Sequence, residues 1–170
     1  MNILYSTDEK FIKINHLIRW GKYIKAKRML EEILEEEPDH ARAHYETGMI
    51  YFRQLINYEM AEFHFKLAIK FCPVEVFAYY AYQKLLFQQS RYDELINFSE
   101  KALSVKSIYK ALIYKFMAAC FEEQQKLKKA IVYYEKALLY SLNEIEFEQL
   151  KKMIERVKTK QSQHKKEAVK

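Results

Sequence analysis

Apolar residues recur along this chain at spacings of three and four, as on helices that bury one face. The pattern also repeats over a longer period. Tyr23, Ala26, Leu30, Ile33 and Pro38 are followed 35 residues later by Tyr58, Ala61, Phe65, Ala68 and Pro73. A shift of 34 gives Tyr92, Leu95, Ser99, Ala102 and Ser107, and a further 35 gives Leu127, Ala130, Tyr134, Ala137 and Leu142. Ahead of each copy runs a second apolar stripe: His44, Thr47, Gly48 and Tyr51; then Tyr79, Tyr82, Gln83 and Leu86; then Tyr114, Met117, Ala118 and Phe121. In the first copy the stripe is weaker: Lys10, Lys13, Ile14 and Leu17. Four helix-turn-helix units are predicted, with helices near 8–19, 22–36, 41–54, 57–71, 75–88, 91–105, 108–123 and 126–140. A last helix is predicted from Asn143 to about residue 158, with Ile145, Phe147, Leu150, Met153, Ile154 and Val157 on its apolar face.

One helical hairpin cannot cover its own apolar stripes, so such units stack and share a core. Small residues stand where helices must approach closely: Ala26, Ala61 and Ala130, then Ala68, Ala102 and Ala137. Boundary signals agree with the periodicity. Ser6 with Glu9, and Asn143 with Glu146, read as capping boxes; Pro38 and Pro73 fall where second helices stop.

Composition narrows the field further. Half of the 170 residues are apolar, and only two Gly and two Pro are present. Turn-rich sandwiches and barrels, and sheets with Gly-rich strand-to-helix loops, are thereby disfavoured. Apolar runs are too short for a membrane span, and Met1–Lys10 has no secretory signal pattern. Cys72 and Cys120 make neither a disulfide framework nor a metal spacing, so a reducing cytoplasm is expected. Net charge is +6, and residues 151–170 alone, with eight Lys/Arg against Glu155 and Glu167, account for it.

These residues resemble the tetratricopeptide repeat (TPR) family. The second copy carries the likeness best, through Gly48, Tyr51, Tyr58, Ala61, Phe65, Ala68 and Pro73, with one extra residue at the Leu55–Asn57 turn. The resemblance implies an all-α fold, a right-handed superhelical α-solenoid, with repeats at about 7–40, 41–75, 76–109 and 111–142. A capping helix at about 143–158 would complete a single array over 1–158, and 159–170 would be a basic, disordered tail. It also implies a concave groove lined by first helices, holding a peptide or helix of a protein partner without catalysis. Residues offset from the shared core should face it: Phe11, Asn15, Arg19, Tyr45, Met49, Phe52, Arg53, Phe77, Tyr80, Lys84, Phe87 and Lys115, with Ile18, Leu112, Phe116 and Ala119 beside them. Aromatics and Met offer adaptable contact area, and the cations suit an apolar segment with acidic flanks. Some members clamp a chaperone's C-terminal carboxylate; Phe11, Glu46, Phe77 and Ala81 stand where that clamp needs Lys, Asn, Lys and Arg.

Enzyme chemistry finds little support. His40 and His44 have a helical metal spacing, but no third ligand follows the motif, and His44 occupies a packing position. No Gly-rich phosphate loop exists, and neither cysteine has a context that favours a thiolate. No cofactor and no metal are expected. Two other readings stay open. One is nucleic-acid or anionic-surface binding through the basic tail; nucleic acid is disfavoured, since no aromatic accompanies the cations there. The other is self-association into a homodimer through Ile3, Leu4, Tyr5, Phe11 and Trp20.

Overall fold

The computed structural model of the chain describes residues 6–167. Among these, all regular structure is helical: α1 Thr7–Arg19, α2 Tyr23–Glu36, α3 Ala41–Arg53, α4 Tyr58–Phe71, α5 Val76–Gln88, α6 Tyr92–Ala102, α7 Lys110–Glu123, α8 Leu127–Leu139 and α9 Glu144–Glu167. Where the sequence predicts one array over 1–158, the structure describes two compact units, Met1–Leu85 and Leu86–Lys170. The division falls inside α5. Ile3, Leu4 and Tyr5, offered for self-association, lie outside the described residues, as do residues 168–170 of the basic tail.

In the first unit, Ser6 and Glu9 form the reciprocal capping box that starts α1. Phe11, Ile14, Ala26, Leu30, Ile33, Ala43 and Ile50 form a buried cluster on α1, α2 and α3. The α3–α4 contact depends on Gly48. A Cβ there would lie 2.7 Å from two ring carbons of Phe65, which is itself fully buried. The helices therefore meet at a distance that only a missing side chain permits. The turns from α2 to α3 and from α4 to α5 share one contact: His44 Nε2 lies 2.9 Å from the Pro38 carbonyl, and the Tyr79 hydroxyl donates to the Pro73 carbonyl at 3.0 Å.

In the second unit, Ala118, Phe121, Leu127, Ala130, Tyr134, Ala137, Leu150, Ile154 and Val157 pack together, joining α7, α8 and α9. Beside them Glu122 is buried with its carboxylate fully engaged. It accepts from the Tyr134 hydroxyl at 3.1 Å, from Arg156 at 2.6 Å and from Lys160 at 2.7 Å. Burial disfavours this charge, but the two cations and Tyr134 outweigh it and hold the carboxyl below its usual range.

Three helical hairpins close with one turn. Gly21, Ser90 and Gln125 each take a left-handed conformation (φ 70°, 57° and 58°). The next residue then donates its N–H to the carbonyl five positions back: Lys22 to Leu17, Arg91 to Leu86, Lys126 to Phe121. At the α3–α4 turn, Ile56 takes that conformation (φ 51°), and Asn57 reaches back six positions, to Tyr51. This is the extra residue read from the sequence. Only the first of these turns has the glycine that the conformation favours.

Two expectations need correction. The last helix does not end near 158 before a disordered tail; α9 continues to Glu167, held by Arg156 and Lys160, which are four apart and meet the same carboxylate. Ile145 is not on its buried face and is 73% exposed. At about 100° per residue it stands roughly 140° from Leu150, off the stripe that Leu150, Ile154 and Val157 define. In the opening turn the buried side is instead occupied by the Glu146 carboxylate, which accepts from the Tyr109 hydroxyl.

Two substitutions should move stability in opposite directions. Gly48→Ala should destabilise the fold by about 1–3 kcal/mol through the clash with Phe65. Ile56→Gly should stabilise it by about 1 kcal/mol, because a β-branched residue is relieved of positive φ at an exposed site. Urea unfolding followed by circular dichroism measures both.

Candidate functional site

Of the twelve residues predicted to line a groove, ten are at least partly accessible. Phe11 and Phe52 are the exceptions, at 3% and 4% exposure. Phe11 belongs to the buried cluster of the first unit, under the Arg42 guanidinium, which lies 4.2 Å from its ring centre. Phe52 packs against Tyr58 and Phe65. Both are thus packing residues rather than lining residues. On a closely packed first helix the apolar arc is wider than the sequence offset assumed.

The structure brings three of the others together. Tyr45, Met49 and Arg53, one helical turn apart on α3, line a hollow of about 220 Å³ with Ile18, Tyr23 and Glu46. Ile18 at the end of α1 and Tyr23 at the start of α2 supply its apolar wall. Tyr45 continues the surface to Phe77, 60% exposed, with ring centres 6.4 Å apart. Asn15 and Arg19 are exposed on α1, Tyr80 is half-buried on α5 and Lys84 is exposed there. Phe87 and Lys115 lie in the second unit, both half-buried, and Phe87 packs edge-on against Phe116.

Glu46 was not among the predicted lining residues. Its carboxyl is raised above the usual range by burial, a shift that Arg42 and Arg53 partly oppose. The same burial, with Glu46 alongside, raises the Tyr45 hydroxyl. The hollow thus joins an apolar wall to one acidic and one basic group, Glu46 and Arg53, two turns apart on a single helix. That arrangement can seat an apolar side chain and hydrogen-bond the backbone or polar groups beside it. The signal for Glu46 was available in its spacing, one residue after Tyr45 and three before Met49.

His40 and His44, which have a helical metal spacing, both have partners within the protein. His40 Nδ1 accepts from the Ala43 N–H and caps α3. The rings of His44 and His64 are both buried, with Nδ1 atoms 3.0 Å apart. The Pro38 carbonyl can only accept, so His44 donates to it from Nε2, and its Nδ1 accepts from His64 Nδ1–H. Phe71 stacks on His44, and Tyr51 stacks on His64. Burial depresses both rings; His64 is pushed down to about 4, with His44 and the Lys27 ammonium adding to the effect and Glu31 opposing it. Among the described residues, no group of three or more His, Cys, Asp and Glu could hold a metal ion. Cys120 is buried, which pushes its thiol up to about 12.

Consecutive helix pairs on a period of 34 to 35 residues, with Gly48, Ala61, Phe65 and Ala68 buried where one pair meets, give the pattern of a TPR-type fold. The protein has the tetratricopeptide-repeat fold. Solved structures bear this out. MamA from Desulfovibrio magneticus RS-1 is similar over 94% of this chain and 87% of its own, at 21% identity and a TM-score of 0.72. Yeast Tom70 matches 91% of this chain and 34% of its own, at 17% identity and 0.76. The N-terminal domain of stress-induced protein-1 from C. elegans matches 71% and 95%, at 23% and 0.61. In sequence, the Arabidopsis thaliana cell division cycle protein 27 homolog A is 38% identical over 64 residues, which is 38% of this chain and 9% of that protein. The match thus spans less than a tenth of that relative. No family model matches the chain. Among the described residues no helix is long and apolar enough to cross a membrane.

Acidification should weaken the fold through the histidine pair. The pKa of His64 is lower in the folded chain, so the unfolded chain binds the proton first as pH falls. Stability is full above the ordinary value of 6.5 and is lost on the way to about 4, by roughly 3 kcal/mol from His64. The double substitution His44→Tyr, His64→Phe installs the residue types of the next repeat, Tyr79 and Phe98. Urea unfolding between pH 7 and pH 4 should show a shallower loss for the double variant than for the parent.

Proposed function

We propose that this protein is a non-catalytic adaptor or scaffold, chaperone-like in action and cytoplasmic. It holds a peptide or helix of a partner protein against first-helix side chains. One observation carries the reading: Tyr45, Met49 and Arg53 line a hollow with Ile18 and Glu46. Around it Asn15, Arg19, Phe77, Tyr80 and Lys84 extend the contact surface in the first unit, and Phe87 and Lys115 offer one in the second. Phe11 and Phe52 support these surfaces from beneath. An apolar anchor would enter between Ile18, Tyr23 and Met49, while Arg19 and Arg53 would meet acidic flanks. The TPR fold supports this reading, being a scaffold that presents helix faces to extended or helical segments.

Binding by the basic C-terminal segment has less support. Arg156 and Lys160 are already committed to Glu122, which leaves fewer cations for phosphate contacts.

A panel of fluorescent peptides tests the reading: a Leu-rich core with Asp/Glu flanks, the same core with Lys flanks, and a scrambled polar control. The acidic-flanked peptide should bind most tightly. The triple substitution Tyr45→Ala, Met49→Ala, Arg53→Ala should weaken it by about tenfold or more with helicity unchanged. Equal binding of all three peptides, or no effect of the triple substitution, would refute the proposal. Phe52→Ala should instead lower stability by about 3–5 kcal/mol.

A further inference from the structure

Charge is unevenly shared between the two units. Met1–Leu85 carries twelve Lys/Arg and twelve Asp/Glu, whereas Leu86–Lys170 carries 17 and 11. In the first unit the acids gather at the end of α2, where Glu31, Glu32, Glu35, Glu36 and Glu37 are all exposed. Lys27 pairs with Glu31 and Lys10 with Glu36, but among the described residues Glu32 and Glu35 form no ion pair. With Arg28 and Leu34 they border a hollow of about 350 Å³.

The second unit carries the opposite arrangement. A hollow of about 450 Å³, lined by Lys126, Leu127, Lys128, Lys129, Gln161 and His164, lies between the start of α8 and the last turns of α9. None of its lining residues is acidic. The Lys126 ammonium donates to the neutral Gln124 amide, and that of Lys129 sits 5.5 Å from the centre of the Phe121 ring.

Each of these faces is at odds with its own helix. The C-terminal end of a helix is negative and favours cations; the last turn of α2 has no basic residue and two glutamates. The N-terminal end is positive and favours acids; the first turn of α8 has no acidic residue, and its N-cap Lys126 makes no side-chain cap. A docked partner of opposite charge relieves both. Each hollow is also bordered by one leucine, Leu34 in one and Leu127 in the other.

We propose that the lysine-lined hollow of one copy of this chain receives the acidic end of α2 of a second copy. The contact is heterologous, joining the first unit of one molecule to the second unit of another, so every copy carries both halves of it. It uses neither Tyr45 nor Arg53, so it stands or falls independently of the peptide site.

Sedimentation velocity of the full chain over a range of concentrations tests the proposal. In about 20 mM NaCl the sedimentation coefficient should rise with concentration, and in about 500 mM NaCl it should fall to the monomer value. The substitutions Glu32→Lys, Glu35→Lys in one variant, and Lys128→Glu, Lys129→Glu in another, should each abolish association at low salt, with circular dichroism unchanged. Mixing the two variants restores both charge pairings and should restore association. A monomer at every concentration in low salt would overturn the proposal, as would association that either reversal leaves intact or that the mixture fails to recover. An acidic peptide that binds the hollow while the chain itself remains monomeric would also overturn it, by assigning the hollow to another occupant.

Discussion

How close two paired helices can come governs much of the first unit. Gly48 lets α4 approach until the Phe65 ring occupies the space a side chain would fill, while Ala61 and Ala68 are fully buried on α4. At that separation the second helix fills the core, and the polar and aromatic face of α3 is turned away from it. Tyr45, Met49 and Arg53 are left to border a hollow for the same reason that Thr47, Gly48 and Ile50 are buried. A wider pair would admit larger side chains to the contact and would swing the lining residues out of register. The candidate site is therefore a by-product of the packing, and its shape depends on residues that never touch a partner.

The division of labour on α3 also explains which parts of the molecule could be read in the sequence. Small residues at the tight contacts, Ala26, Ala61, Ala68, Ala102, Ala130 and Ala137, were legible because the period repeats them, and each is fully buried. The extra residue at the α3–α4 turn was legible from the length of one repeat and reappears as the six-residue reach of Asn57. Phe11 and Phe52 were misassigned because periodicity gives an angle around a helix but not the width of the buried arc. Ile145 failed for the opposite reason: it is apolar, yet five residues from Leu150, a separation that no helical stripe joins. The His44–His64 bond was invisible, since nothing local links positions on two helices twenty residues apart.

Electrostatics divides the chain differently from packing. Glu122 is the one buried carboxylate among the described residues that gathers two cations and a tyrosine, and it ties α7, α8 and α9 together at a single pair of oxygens. The glutamates at the end of α2 and the lysines at the start of α8 are arranged against the fields of their own helices. Charges so placed lower the stability of the isolated chain slightly while making its surface selective for what can approach. The same residue types thus serve cohesion in one place and recognition in another.

The hairpin turns have a consequence for how the molecule forms. A turn that closes early in folding needs a local preference for its bend, and Gly21 gives the α1–α2 hairpin that preference. Ile56, Ser90 and Gln125 give none, so those bends are imposed by the helices on either side once these have met. Of these four bends, only the one at the N-terminal hairpin is favoured by the residue that makes it; the other three depend on the helices they join.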